Sequence, residues 1–123
     1  MKKLIKSFLI TLALTLSINL YAQKAETVNL TQTTGEFNKK ELTLKAGQPY
    51  VFEVKNDGVD HKLGFVIAPK GQTDEKNHIS EAYLQKTIKN GETATSKTVT
   101  LEKGEYVYFC PLNPTPLYTL IVK

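Results

Sequence analysis

Apolar and polar residues alternate along most of this chain, as they do in strands that bury one face. "ETVNLTQ" (Glu26–Gln32) sets Val28 and Leu30 against polar neighbours. "ELTLKAG" (Glu41–Gly47) does the same with Leu42 and Leu44, then stops at a glycine. "PYVFEVKN" (Pro49–Asn56) is rich in β-branched and aromatic residues and runs into "NDG", a turn signal. "HKLGFVIAP" (His61–Pro69), "TSKTVTLEKG" (Thr95–Gly104), "EYVYFC" (Glu105–Cys110) and "LYTLIVK" (Leu117–Lys123) complete the series. Short strands of this kind, separated by turn residues over about 100 residues, predict an all-β sandwich of seven or eight strands.

One stretch departs from the period of two. In "NHISEAYLQKTIKNG" (Asn77–Gly91) the apolar residues Ile79, Tyr83, Leu84 and Ile88 fall at helical spacing. Asn77 is placed to cap the start, and Gly91 stands where a left-handed C-terminal residue is wanted. The pattern predicts one short helix inserted between strands.

The N-terminus has a different character. Lys2, Lys3 and Lys6 precede an uncharged apolar run, Ser7–Leu20, and "LYA" offers the small residue Ala22 before Gln23. This is the layout of a secretory signal peptide, too short for a comfortable membrane span. The expected organisation is therefore a leader over 1–22 and one domain over 23–123. The product is secreted, and in a Gram-negative bacterium it is periplasmic, with no membrane span in the mature chain.

Charge narrows the function classes. The net charge of +4 owes three lysines to the leader, and none of the cationic residues is arginine. Without arginine or a basic block, nothing points to nucleic acid. The chain also lacks a phosphate-cradling glycine loop and any Ser-His-Asp pattern, so no enzyme is predicted.

Candidate chemistry lies at strand ends. His61 opens a strand after "NDGVD", and Cys110, the only cysteine, closes another. An imidazole and a thiolate meeting at one pole of a sandwich would suit copper, with zinc as the alternative. Each residue also has a plainer role. His61 can hydrogen-bond its own turn, and Cys110 can pack as a small buried apolar residue. His78, the only other histidine, can be a solvated side chain near a helix start. After Cys110 comes "CPLNPTP", in which Pro111, Pro114 and Pro116 stiffen the backbone.

The pattern "LTLKAGQPYVFEVKNDGVDHKLGFVI", followed later by "LEKGEYVYFCPLNPTPLYTLIVK", resembles the cupredoxins, the plastocyanin- and azurin-like blue-copper family. The matching parts are the strand into "KAG", the "F-x-V-x-N" strand with a His soon after it, and the "G-E-Y-x-Y-x-C-P" run before a final strand. The resemblance implies a Greek-key sandwich. It implies a metal site with His61 and Cys110 at two of the ligand positions, and copper as the cofactor. It also implies that partners dock around the loop of Pro111, Leu112, Asn113, Pro114, Thr115, Pro116 and Leu117.

The chain departs from the family in one respect that matters. The family has a second His shortly beyond its Cys, where this chain carries Asn113, Pro114 and Thr115. The axial Met of the family falls in Pro116–Leu120, and the only methionine here is Met1. A blue-copper centre needs two His and a Cys with a weak axial donor. The expectation is a divergent cupredoxin with an incomplete copper site, His61 and Cys110, with His78 as the candidate third ligand. Its role would be copper handling or electron transfer with a redox or copper-trafficking partner. The alternative is a metal-free binding module that uses the Cys110–Pro116 loop.

Overall fold

The computed structural model describes residues 24–123, so the leader expected over 1–22 lies outside the described residues. Strands form where the alternation places them. They are β1 (Glu26–Thr33), β2 (Glu36–Phe37), β3 (Glu41–Leu44), β4 (Pro49–Asn56) and β5 (Val66–Pro69). They continue with β6 (Thr93–Thr95), β7 (Val99–Thr100), β8 (Gly104–Phe109) and β9 (Tyr118–Val122). β4 keeps the span read from the sequence. The segment from His61 enters its strand only at Val66. β2 is a two-residue strand reached through a tight turn, where Gly35 takes φ = 78°, a region glycine enters without a Cβ clash.

Two sheets face one another. One runs β2-β1-β4-β6, with β7 also paired to β4, and the other runs β3-β9-β8-β5. The pairings β1–β4 and β3–β9 are parallel, while the remaining neighbours are antiparallel. The strand expected over Thr95–Gly104 forms as β7, and β6 begins two residues before that expected span; a bulge separates the two along β4. Val51 and Phe52 of β4 stand opposite three residues, Ser96 to Thr98. The Ser96 hydroxyl accepts the Phe52 N–H at 2.9 Å, which fills the gap in the ladder.

The core lies between the sheets and is organised by Phe37, which is fully buried. Its ring meets Phe65, Tyr108 and Tyr118 edge-on, at centroid distances of 5.8, 5.5 and 5.8 Å. Each such contact contributes about 0.5–1.5 kcal/mol beyond the area it buries. These rings form a floor beneath the pole where β8 ends.

The segment predicted as a single short helix takes another form. It makes two 3₁₀ turns, Glu75–Asn77 and Ser80–Ala82, and then runs irregularly. Its apolar residues do not share one helical face. The Ile79 amide donates to the Ile67 carbonyl on the edge of β5. Leu84 bridges to Ser96, and Ile88 bridges to Leu63. Sheet edges offer backbone partners, and a helix this short gains too little by itself to compete. Gly91 does adopt a left-handed φ of 86°, in a turn.

Candidate functional site

β8 delivers Cys110 to the pole. Tyr108 and Cys110, two apart, point to the core, and both are buried. The sulfur accepts two backbone N–H groups, from Asn113 at 3.2 Å and from Gly64 at 3.4 Å. The first closes the turn Cys110–Asn113, in which Pro111 holds a φ suited to the second position. The second crosses from the chain leading into β5. The Cys110 N–H in turn donates to Thr115 Oγ1 at 3.2 Å. The cysteine is thus fixed by groups on both sides of the loop.

Asn113 is the centre of this loop and is 2% exposed. Its Oδ1 accepts the Gly35 N–H at 3.1 Å. Its Nδ2 donates to Gln32 Oε1 at 3.3 Å and to the Thr33 carbonyl at 3.0 Å. Gln32, fully buried at the end of β1, donates from Nε2 to the Gly64 carbonyl at 2.8 Å. Sequence reasoning placed no function on Gln32 or Gly64. A signal was available for Gln32, because Val28, Leu30 and Gln32 continue one alternation and so share the buried face.

His61 is exposed, and its Nδ1 lies 3.2 Å from the Lys62 carbonyl. The preceding turn explains this placement. Asn56, fully buried at the end of β4, accepts the Val59 N–H at 2.9 Å and donates to the His61 carbonyl at 3.1 Å. That bond turns the His61 backbone inward. His78 is half-buried and fully partnered. Its Nε2–H donates to the Thr73 carbonyl at 2.9 Å, and its Nδ1 accepts the Tyr83 hydroxyl at 2.8 Å. Its ring also meets Phe109 edge-on at 5.9 Å, so it holds the inserted segment against β8.

The polar partners of the Cys110 sulfur are therefore two amides, and the hydrogen bonds of the histidines lead elsewhere. Among the described residues no group of three or more His, Cys, Asp or Glu side chains is assembled that would hold a metal ion. Where the family resemblance expects a second imidazole, the Asn113 carboxamide is already hydrogen-bonded on both its atoms. The residues present do not fit a blue-copper ion.

The surface of the pole is apolar. Leu112 and Leu117 are 48% and 56% exposed, on either side of the buried Asn113. Beside them, two clefts of about 300 and 330 Å³ flank Tyr83 and Pro111, with Val66 in both walls. Below the loop, burial pushes the Tyr108 phenol up to about 12, with Tyr118 and Glu41 adding to the shift. Its hydroxyl donates to the Lys39 carbonyl at 2.6 Å. No helix among the described residues is long and apolar enough to cross a membrane.

The comparisons with known proteins agree with the fold. The family model of the cupredoxin-like domain matches residues 6–122. Auracyanin A, a "blue" copper protein from the green thermophilic photosynthetic bacterium Chloroflexus aurantiacus, superposes with a TM-score of 0.66 at 20% identity, over 81% of this chain and 100% of its own. Dithionite-reduced auracyanin from Roseiflexus castenholzii gives 0.62 at 21% identity, over 81% and 99%. Amicyanin from Paracoccus versutus gives 0.50 at 20%, over 83% and 86%. No curated protein matches the sequence.

Proposed function

From the premise that this chain belongs to the cupredoxin-like family, we propose that it is an exported binding module whose Cys110–Leu117 loop docks a protein partner with an apolar face. The observation that carries this reading is the pair Leu112 and Leu117, both exposed on a loop anchored from below by Asn113. Leucines that merely capped the core would be covered. A loop stiffened by three prolines loses little further freedom on binding, so its apolar contacts convert efficiently into affinity. The reading assigns the protein no enzymatic step and no nucleic-acid partner.

The test is a photo-crosslinking side chain at position 112 in the mature chain, carried out in the exporting cell. A true partner crosslinks there, survives Cys110→Ala, and is lost in the double variant Leu112→Asp, Leu117→Asp. Binding that ignores the two aspartates would sink the docking reading.

A second reading is Cu(I) binding through Cys110, with His61 and His78 as further ligands, for copper handling or electron transfer. What supports it is the family itself: auracyanin A, which shares this fold, is a "blue" copper protein. Competition with a Cu(I) chelator, beside Cys110→Ala, decides it. Uptake that depends on Cys110 favours the copper reading, and no uptake removes it.

A further inference from the structure

Four groups at the pole close into a ring of hydrogen bonds. The Cys110 sulfur accepts the Gly64 N–H at 3.4 Å. The Gly64 carbonyl accepts from Gln32 Nε2 at 2.8 Å. Gln32 Oε1 accepts from Asn113 Nδ2 at 3.3 Å, and the Asn113 N–H returns to the sulfur at 3.2 Å. The ring joins three segments that are far apart in sequence: the end of β1, the approach to β5, and the loop after β8. Among the described residues, no buried side-chain nitrogen or oxygen is left without a partner.

We infer that this ring is a metal-independent clasp: Gln32 and Asn113 tie the end of β1 and the approach to β5 to the loop that carries Cys110. A bound ion contributes to folding when its ligands come from separate segments. Here a neutral carboxamide pair joins three separate segments without an ion. The pair is buried, so removing one member leaves the other unsatisfied, and the two act as a unit. Cys110 is 4% exposed, so a metal reaches its sulfur only if the pole opens. The hairpin turn is part of the same lock. The Gly35 N–H donates to Asn113 Oδ1 at 3.1 Å, so the turn is bonded to the loop. The inference stands whether or not the loop docks a partner, because it concerns how the pole is held.

The test is thermal unfolding of the mature chain alone, with Cu(I), with Cu(II) and with a chelator, beside Gln32→Met, Asn113→Ala and the double variant. The wild-type midpoint should be the same under all metal conditions. Each single variant should lower it by about 4–8 °C. The double variant should lose clearly less than the sum, because each change already opens the same ring. A copper-dependent rise in the midpoint that vanishes in Cys110→Ala would overturn the inference, as would strictly additive losses. Where Asn113→Ala fails to fold, hydrogen exchange on the wild type replaces it. Slow exchange of the Gly35 and Gly64 amides without metal is expected, and fast exchange at both would overturn the clasp.

Discussion

The Gly64 amide points at the Cys110 sulfur from 3.4 Å, although 46 residues separate them in sequence. The sulfur is the acceptor for two N–H groups, one buried and one half-buried, which makes the thiol a structural element. Cys110→Ala should therefore destabilise the protein by about 1–3 kcal/mol, the cost of leaving buried donors unsatisfied. Cys110→Ser keeps an acceptor and should lose less. Urea unfolding of the three proteins measures the order. If Ala and Ser are equal, the sulfur is only filling space.

The Asn113 carboxamide has a defined polarity, with Nδ2 facing the two acceptors Gln32 Oε1 and Thr33 O. Asn113→Asp places a carboxyl oxygen against them. The charged form is then opposed by burial and by both neighbours, so the folded pKa of this carboxyl rises above the ordinary value of about 3.9. A raised folded pKa means that stability is present at low pH and lost as pH rises through that value. The stability gap between Asn113→Asp and wild type should therefore be wider at pH 7 than at pH 4. A gap that does not change with pH would show that Nδ2 faces no acceptor.

Phe37 stands among Phe65, Tyr108 and Tyr118 and is fully buried. Phe37→Ala should cost about 3–5 kcal/mol through lost burial and the cavity left behind. Phe37→Leu fills more of the space and should lose less. Denaturant midpoints at constant slope would establish this. A loss below about 1 kcal/mol for Ala would mean the core collapses onto the gap.

Alkaline stability should depend on Tyr108. Burial holds its phenol neutral up to about 12, against an ordinary value near 10. The folded value lies above the unfolded one, so this contribution is complete below pH 10 and is lost between pH 10 and 12. Tyr106 is shifted in the same direction, chiefly by burial, so it contributes to the same decline. Tyr108→Phe should flatten the decline in stability across that window and remove the bond to the Lys39 carbonyl. An unchanged slope would assign the decline to other groups.

Much of the fold is legible in the sequence because strand formation depends on a period of two that each segment carries in itself. Glu26, Pro49, Glu41 and the run into Cys110 begin or end strands close to where alternation predicts. The buried Gln32 is also written in that alternation, since it continues Val28 and Leu30. The inserted segment departs from the expected helix because its 3.6-residue spacing is equally compatible with burial against several different elements. Ile79 goes to the edge of β5, Leu84 to Ser96 and Ile88 to Leu63. Those partners exist only after the sheets have formed. The site divides in the same way. The sequence placed Cys110 at the end of a strand and showed that no second imidazole follows it. It held no information on which groups surround the sulfur. Asn113 meets Gln32 across 81 residues, and the Asn56 bond that turns the His61 carbonyl inward is set by a folded turn. Hydrogen bonds between distant segments depend on register and on how two sheets close. Local periodicity specifies neither, so the clasp at this pole was decided by the tertiary structure.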